Sequence, residues 1–168
     1  QGATRRDHEE LKMTIAEGMS LPDATLLHMG DAGAEAVKLS DKLKGRKVVI
    51  FGLPGAYTGT CSTAHVPSFI RTAQKFADKG VDEIICVSVN DPFVMKAWGE
   101  TTGATAAGIT MLGDADSSFT KAIGMELDAS GNGLGIRSKR YSMLLEDGVV
   151  TKLNLEPDEV VGAADSLQ

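Results

Sequence analysis

Short apolar runs alternate along the chain with segments whose apolar side chains recur at helical spacing. The run Lys47–Leu53 (KVVIFGL) is rich in β-branched residues and ends at a Pro-Gly pair, so it is predicted as a buried strand. The apolar residues within 62–79 recur at helical spacing, and Gly80 ends this pattern. The segment is predicted as a helix that Pro67 kinks or shortens. Residues 83–89 (EIICVSV) are predicted as a second buried strand.

The same alternation continues through the second half of the chain. Asp91 and Pro92 have the residue types of an N-cap and a first helical position, so a helix is predicted from there to about Thr102. A short strand follows at 109–112 and a short helix at 117–123. These elements extend the β–α–β order that the first strands begin.

An Asp147-Gly148 pair separates two β-rich runs, Tyr141–Glu146 and Val149–Leu155, which is typical of a hairpin. A last helix is predicted over 156–168. Near the other end, residues 24–28 and 36–39 are predicted to form a small hairpin before a helical segment at 40–44.

The element order predicts an α/β fold with thioredoxin-like topology: a central mixed sheet flanked by helices, with an N-terminal β addition. We expect residues 13–168 to form a single domain, because the chain has no repeat and no linker-like stretch. Residues 1–12 are a polar extension without an apolar core, so no intact signal peptide is predicted. We interpret them as a solvated tail, a surface helix or the remainder of a removed presequence.

The composition of the chain argues against several classes of function. The 168 residues carry a formal net charge of -6, which argues against nucleic acid as a partner. No apolar run is long enough to cross a membrane. Two cysteines are too few for a disulfide scaffold, and neither they nor the three histidines show metal-ligand spacing. These features favour a reducing compartment and predict no metal or other cofactor.

Cys61 follows the first predicted buried strand and lies at or near the start of the next helix. The first N–H groups of a helix lack intrahelical partners, and the helix dipole is positive there, so a thiolate at that place is stabilised. Cys61 is therefore a candidate nucleophile. The alternative is a small buried hydrophobic residue, as many cysteines outside disulfides are.

The residues around Cys61 form a specific motif. Pro54, Thr58 and Cys61 have the spacing P-x-x-x-T-x-x-C, and HVPSF follows at 65–69. Further on come VSVNDPFVMKAW at 87–98, RYSM at 140–143 and EDG at 146–148. In these segments and their order the chain resembles the peroxiredoxins, specifically the type II (peroxiredoxin-five) subfamily.

This resemblance implies a thiol-dependent peroxidase that reduces hydrogen peroxide and organic hydroperoxides, with a role in antioxidant defence. Cys61 would be the peroxidatic cysteine, oxidised to a sulfenic acid. Thr58 would hydrogen-bond the thiolate and the peroxide, and Pro54 would shape the loop and shield it from water. Arg140 matches the active-site arginine of the family, and Arg137 is the competing choice. The chain departs from many members at Gly59, where they have Pro, and glycine loosens that turn through backbone entropy.

The resemblance leaves the role of Cys86 open. Cys86 is a possible resolving cysteine, since some type II members have a cysteine at this spacing, or a buried and inert one. We expect Cys86 about four residues before the carboxyl end of its strand, roughly 13 Å along the strand from the end where Cys61 is expected. This separation is too large for a disulfide and favours an external thiol as the resolving group. Glutaredoxin with glutathione, or thioredoxin, would then reduce Cys61. A homodimer is implied, with some of Tyr57, Phe93 and Met111 lining its interface near the active site.

His65 lies four residues after Cys61, so a Cys–His pair like that of a hydrolase is conceivable. A site-shaping histidine is the preferred interpretation, because no orienting Asn or Asp marks itself. A non-enzymatic binding module with a vestigial cysteine is the third hypothesis. For localisation we expect the cytoplasm, with the mitochondrial matrix or the plastid stroma after presequence removal as alternatives.

Overall fold

The structure is a computed structural model that describes residues 14–58 and 65–155. Its main sheet has seven strands in the order β2-β1-β5-β4-β3-β8-β9, and β6 and β7 form a separate pair. The strands are β1 Thr25–Gly30, β2 Gly33–Lys38, β3 Lys47–Leu53, β4 Glu83–Ser88, β5 Ile109–Gly113, β6 Glu126–Asp128, β7 Ile136–Ser138, β8 Tyr141–Glu146 and β9 Val149–Leu155. The helices are α1 Leu39–Leu43, α2 Val66–Asp78, α3 Pro92–Thr102 and α4 Ser118–Ala122, with a 3-10 turn at Ser130–Asn132.

The centre of the sheet is parallel and its flanks are antiparallel. β4 runs parallel to both β3 and β5, while β8 and β9 continue the sheet antiparallel beyond β3. β1 and β2 form the N-terminal hairpin, and β1 pairs antiparallel with β5. The predicted mixed thioredoxin-like sheet with an N-terminal β addition is therefore confirmed.

Strand β3 is buried on both faces, which explains its nearly continuous apolar sequence. Successive side chains point to opposite faces, so Phe51 and Leu53 join one core and Val48 and Ile50 the other. Helices α2 and α3 cover the first face, with the buried residues Val66, Phe69, Phe76, Met95 and Trp98. Helices α1 and α4 cover the second face, with the buried residues Leu39, Leu43 and Phe119.

Two local predictions match the structure closely. Asp147 and Gly148 both have positive φ, 50° and 77°, as a two-residue type I′ hairpin turn between β8 and β9 requires. Asp91 caps α3 by accepting a hydrogen bond from the backbone N–H of Val94, and Pro92 is the first helical residue.

Other predictions need correction. The sequence pattern predicts no strand at 126–138, whereas β6 and β7 form a hairpin there; each has only three residues, which is too few to show a period. β4 ends at Ser88, so Cys86 lies two residues from its end, about 7 Å along the strand rather than 13 Å. Pro67 occupies the first turn of α2, where it is tolerated because its missing N–H has no intrahelical partner there.

The polar extension at 1–12 and the predicted helix at 156–168 lie outside the described residues. Within the ranges that are described, no helix combines the length and apolarity needed to cross a membrane.

Candidate active site

The candidate site begins where β3 ends. Beyond Leu53, Pro54 makes a half-buried bend that starts the loop to α2. The backbone N–H of Ala56 in this loop donates to Oδ1 of Asn90 at 3.0 Å, and the Ser88 hydroxyl donates to the same oxygen at 2.6 Å. Since Ser88 ends β4 and Asn90 follows it, the loop is tied to the carboxyl end of the neighbouring strand.

Thr58 is oriented by a hydrogen bond within the loop. Its hydroxyl donates to the carbonyl oxygen of Gly55 at 2.7 Å, and its backbone N–H approaches the same oxygen at 3.4 Å. A hydroxyl has one proton and two acceptor lone pairs. In this arrangement the Thr58 hydroxyl donates its one proton to Gly55, so Oγ1 can accept a hydrogen bond from a substrate O–H but has no proton left for a thiolate, contrary to what the resemblance implied.

His65 is enclosed by aromatic side chains. It is 0% exposed, and its ring centroid lies 5.2 Å from that of Phe51 and 5.7 Å from that of Phe69. No residue in the described part of the chain hydrogen-bonds either ring nitrogen. Burial, with a contribution from the positive charge of Arg140, lowers the pKa of His65 from 6.5 to about 3. The imidazole is therefore neutral at pH 7 and far too weak a base to hold a proton from a thiol.

Arg140 lies at the same edge of the sheet as this loop, because it comes just before a strand that runs antiparallel to β3. It immediately precedes β8, whose first residue Tyr141 pairs with Gly52 of β3, so Arg140 is level with the end of β3. Its positive charge contributes to the lowered pKa of His65, the residue that precedes α2. Arg140 is half-buried, so its charge is partly shielded from water.

Arg137 takes a different position. Its Nε donates to the carbonyl of Leu134 at 2.9 Å and its Nη1 to the carbonyl of Val89 at 3.3 Å. The guanidinium also lies against Gly55, because a methyl group built there would be 2.7 Å from Nη1. Both arginines that the sequence offered are thus near the loop, but Arg137 is engaged with backbone groups.

The candidate nucleophile Cys61 and the divergent Gly59 lie outside the described residues, between Thr58 and His65. The second cysteine, Cys86, is fully buried in the core beneath α2 and α3, where its Cα pairs with that of Phe51. Among the described residues, no group of three or more histidine, cysteine or acidic side chains could hold a metal ion.

The candidate dimer residues divide into two kinds. Tyr57 and Phe93 are 53% and 71% exposed, which is high for aromatic side chains. Met111 is 4% exposed and belongs to the core. Of the three candidates, Met111 is therefore the one that does not face outward, because its side chain on β5 packs into the core.

Comparison with known proteins agrees with this geometry. The Redoxin family model matches residues 16–167. Peroxiredoxin-2B of Arabidopsis thaliana is 43% identical over 156 residues, which is 91% of this chain and 96% of that protein. The chloroplastic Peroxiredoxin-2E-2 of Oryza sativa subsp. japonica is 50% identical over 147 residues, 85% of this chain and 65% of that protein.

Solved structures of peroxiredoxins are also similar to this chain in sequence and fold. Reduced Prx3 from Vibrio vulnificus in complex with H2O2 is 48% identical with a TM-score of 0.84, covering 92% of this chain and 98% of its own. A thioredoxin-like fold and the P-x-x-x-T-x-x-C motif in the sequence after β3 thus define the class. The chain belongs to the peroxiredoxin family. It is a thiol-dependent peroxidase, which takes a peroxide as substrate and a thiol as reductant, and dimers are typical of the family.

The sequence did not single out two residues that hold the loop. Asn90 immediately precedes the predicted cap Asp91, and its residue type alone indicates no further role. Gly55 was interpreted as a turn residue, whereas its lack of a side chain makes room for Arg137. Neither role has a local signal, because each depends on a partner more than 30 residues away in the sequence.

Proposed function

We propose that this chain is a peroxidase of the type II (peroxiredoxin-five) kind with Cys61 as its peroxidatic cysteine. The observation that carries the proposal is the arrangement at the two ends of the Cys61 segment. Thr58, before it, presents an oriented hydroxyl, and the charge of Arg140 acts on His65, after it. A polar acceptor and a permanent cation at one edge of a sheet suit a reaction in which a thiolate attacks an O–O bond.

The reaction balances as follows. The Cys61 thiolate attacks one peroxide oxygen, the S–O bond forms as the O–O bond breaks, and the leaving oxygen takes a proton to become water or an alcohol. The sulfur is oxidised to a sulfenic acid and the peroxide is reduced. A thiol then attacks the sulfenic sulfur and releases water, and a second thiol reduces the resulting disulfide.

Ionisation of the thiol cannot by itself supply the rate of a fast peroxidase. A thiol of pKa about 8.5 is a few per cent ionised at pH 7, so complete ionisation gains at most about 30-fold. The larger share must come from groups that orient the peroxide and stabilise charge on the leaving oxygen. Thr58 can accept a hydrogen bond from the peroxide, and Arg140 can donate several from a fixed fork. Pro54 starts the loop and limits the approach of water.

His65 supports this reaction better than a hydrolase reaction. Because its pKa is lowered to about 3, it cannot serve as the general base of a Cys–His pair at neutral pH. We propose that it shapes the site as a neutral ring packed between Phe51 and Phe69.

Replacement of the two cysteines tests the assignment. Cys61→Ser should abolish the consumption of hydrogen peroxide, and Cys86→Ser, the matched control, should retain it with glutathione and glutaredoxin as reductants. Turnover by the Cys61 variant would refute the assignment of the nucleophile. Loss of turnover in the Cys86 variant would make Cys86 the resolving residue.

We propose an external thiol as the resolving group, either glutaredoxin with glutathione or thioredoxin, because Cys86 is enclosed in the core. Intact mass after one equivalent of hydrogen peroxide distinguishes the routes. A gain of one oxygen, with Cys86 alkylated by a blocking reagent once the protein is denatured, supports external resolution. A loss of two hydrogens would instead indicate a Cys61–Cys86 disulfide.

The remaining assignments are proposals of the same kind. Relatives include chloroplastic and mitochondrial proteins, which are compatible with a plastid or mitochondrial location as well as with the cytoplasm. We propose a homodimer, with the exposed aromatic residues Tyr57 and Phe93 at its interface. Sedimentation of the wild type against Phe93→Ser tests it, since a dimer through this surface should weaken in the variant.

A further inference from the structure

Arg137 joins three separate segments of the chain. Nε bonds the carbonyl of Leu134 within the β6–β7 hairpin, and Nη1 bonds the carbonyl of Val89 just after β4. The same Nη1 lies against Gly55, at a place where a Cβ atom would be only 2.7 Å away. The guanidinium therefore occupies the space that a side chain at position 55 would fill.

Gly55 is also the residue that orients Thr58. Its carbonyl accepts the Thr58 hydroxyl at 2.7 Å, and the Thr58 methyl lies 3.4 Å from the same Cβ position at Gly55. A buried glycine thus has the guanidinium and the threonine as its nearest side-chain neighbours. Movement of the Arg137 guanidinium would free Gly55 to move, and with it the hydroxyl of Thr58.

We propose that Arg137 is a positioning residue for peroxide reduction: it links Val89, the β6–β7 hairpin and Gly55 and so holds the Thr58 hydroxyl in place. This inference rests on the proposed function. Arg137 does not itself act on the peroxide in this account, because two of its donors are engaged with backbone carbonyls. An arginine suits the role because its planar fork reaches both carbonyls in fixed directions, which the single ammonium of lysine cannot do.

The size of the effect follows from the demands of orientation. A displacement of about 1 Å of a positioned group costs on the order of 100-fold in rate. Gly55 keeps its hydrogen bond to Thr58 when Arg137 is removed, so the loop loosens without coming apart. We expect Arg137→Ala to lower the second-order rate constant for Cys61 oxidation by hydrogen peroxide by about 10- to 100-fold.

The experiment is a double-mutant cycle followed by stopped-flow oxidation of the full chain. Arg137→Ala, Gly55→Ala and the double variant are compared with the wild type, since a methyl at Gly55 displaces the guanidinium from its seat. Lys139→Ala is the control for loss of a nearby positive charge. Gly131→Ala is the control for the glycine change, because nothing lies within 4 Å of a Cβ there.

If Arg137 acts through Gly55, the rate constants of the two single variants are lowered by similar factors. The rate constant of the double variant is then little lower than that of either single variant. Arg137→Lys should be nearly as slow as Arg137→Ala. Alkylation of Cys61 by iodoacetamide, which does not need the Thr58 hydroxyl, should be nearly unchanged in all variants. This last readout separates positioning from a general loss of structure.

Each contrary result has a distinct meaning. Multiplicative losses in the double variant, or full activity in Gly55→Ala, would overturn the link between Arg137 and Gly55. Recovery in Arg137→Lys would assign the effect to charge, and a parallel fall in alkylation would assign it to the environment of the thiol; either overturns the proposal. If Arg137→Ala does not fold, the Gly55→Ala result decides alone. If the wild type is not oxidised by peroxide, it is the proposed function that fails.

Discussion

Acid should destabilise this protein through His65 before its carboxylates begin to protonate. The pKa of His65 in the folded chain is lowered to about 3 by burial, against 6.5 for an unperturbed histidine. The unfolded chain therefore binds more protons than the folded chain between pH 3 and 6.5, and the free energy of unfolding rises with pH across this window. The contribution is complete above pH 6.5 and is lost as the pH falls.

The size of the effect follows from linkage. Each pH unit between the two pKa values is worth about 1.4 kcal/mol. Lowering the pH from 8 to 5 crosses about 1.5 units of the window, so the free energy of unfolding should fall by about 2 kcal/mol. Carboxylates contribute at lower pH: burial raises the pKa of Glu83, but bonds from Thr110, Arg46 and Lys42 outweigh it and lower the pKa below its usual 4.5.

Urea titrations at pH 8, 7, 6 and 5 measure this slope, and His65→Leu removes it. Leucine fills the space between Phe51 and Phe69 without a titratable group, so the variant should be similar to the wild type at pH 5 or more stable. His28→Leu is the matched control, since that histidine lies on the N-terminal hairpin with Glu35 at 3.2 Å. If His65→Leu keeps the wild-type slope between pH 8 and 5, another group carries the proton and this reasoning is wrong.

Three further changes test the site and the sheet. Thr58→Val keeps the shape but removes the hydroxyl that bonds Gly55, and should lower the peroxide rate constant by about 100-fold, while Thr58→Ser restores most of it; equal rates for the two would remove the hydroxyl from the mechanism. Arg140→Ala should cost more than the roughly 30-fold that thiolate fraction explains; a loss of a few-fold in steady-state kinetics would contradict its role. Gly52→Ala would place a methyl group on the ring of Tyr141 and should cost about 1–3 kcal/mol in urea unfolding, and an unchanged midpoint would show that the ring moves aside.

The sequence predicted the central elements well because their signals are local. The strand Lys47–Leu53 is apolar throughout since helices cover both its faces, and the hairpin around Asp147 needs positive φ at two adjacent residues. The β6–β7 pair could not be predicted in this way. Its strands have three residues each, too few for a period of two to appear.

For the candidate site too, the sequence predicted the residues with a local signal and missed those without one. The motif from Pro54 to Cys61 is contiguous and pointed directly to a family. The residues that hold the loop in place are not contiguous with it: Asn90 follows another strand and Arg137 lies on another hairpin. Their functions exist only through contacts across the fold, so residue type and spacing gave no sign of them.

The strand directions explain why a site forms at this edge of the sheet. β3 and β4 are parallel, so the loop from Pro54 and the side chain of Asn90 emerge together at their carboxyl ends. β8 is antiparallel to β3, so the residue before it, Arg140, arrives at the same edge. The described part of the loop is thereby supported by Asn90, which follows β4, and by Arg137 on β7. Because complete ionisation of the thiol gains at most about 30-fold, we propose that orientation supplies the larger share of the rate, and that Asn90 and Arg137 contribute to it by supporting the part of the loop that carries Thr58.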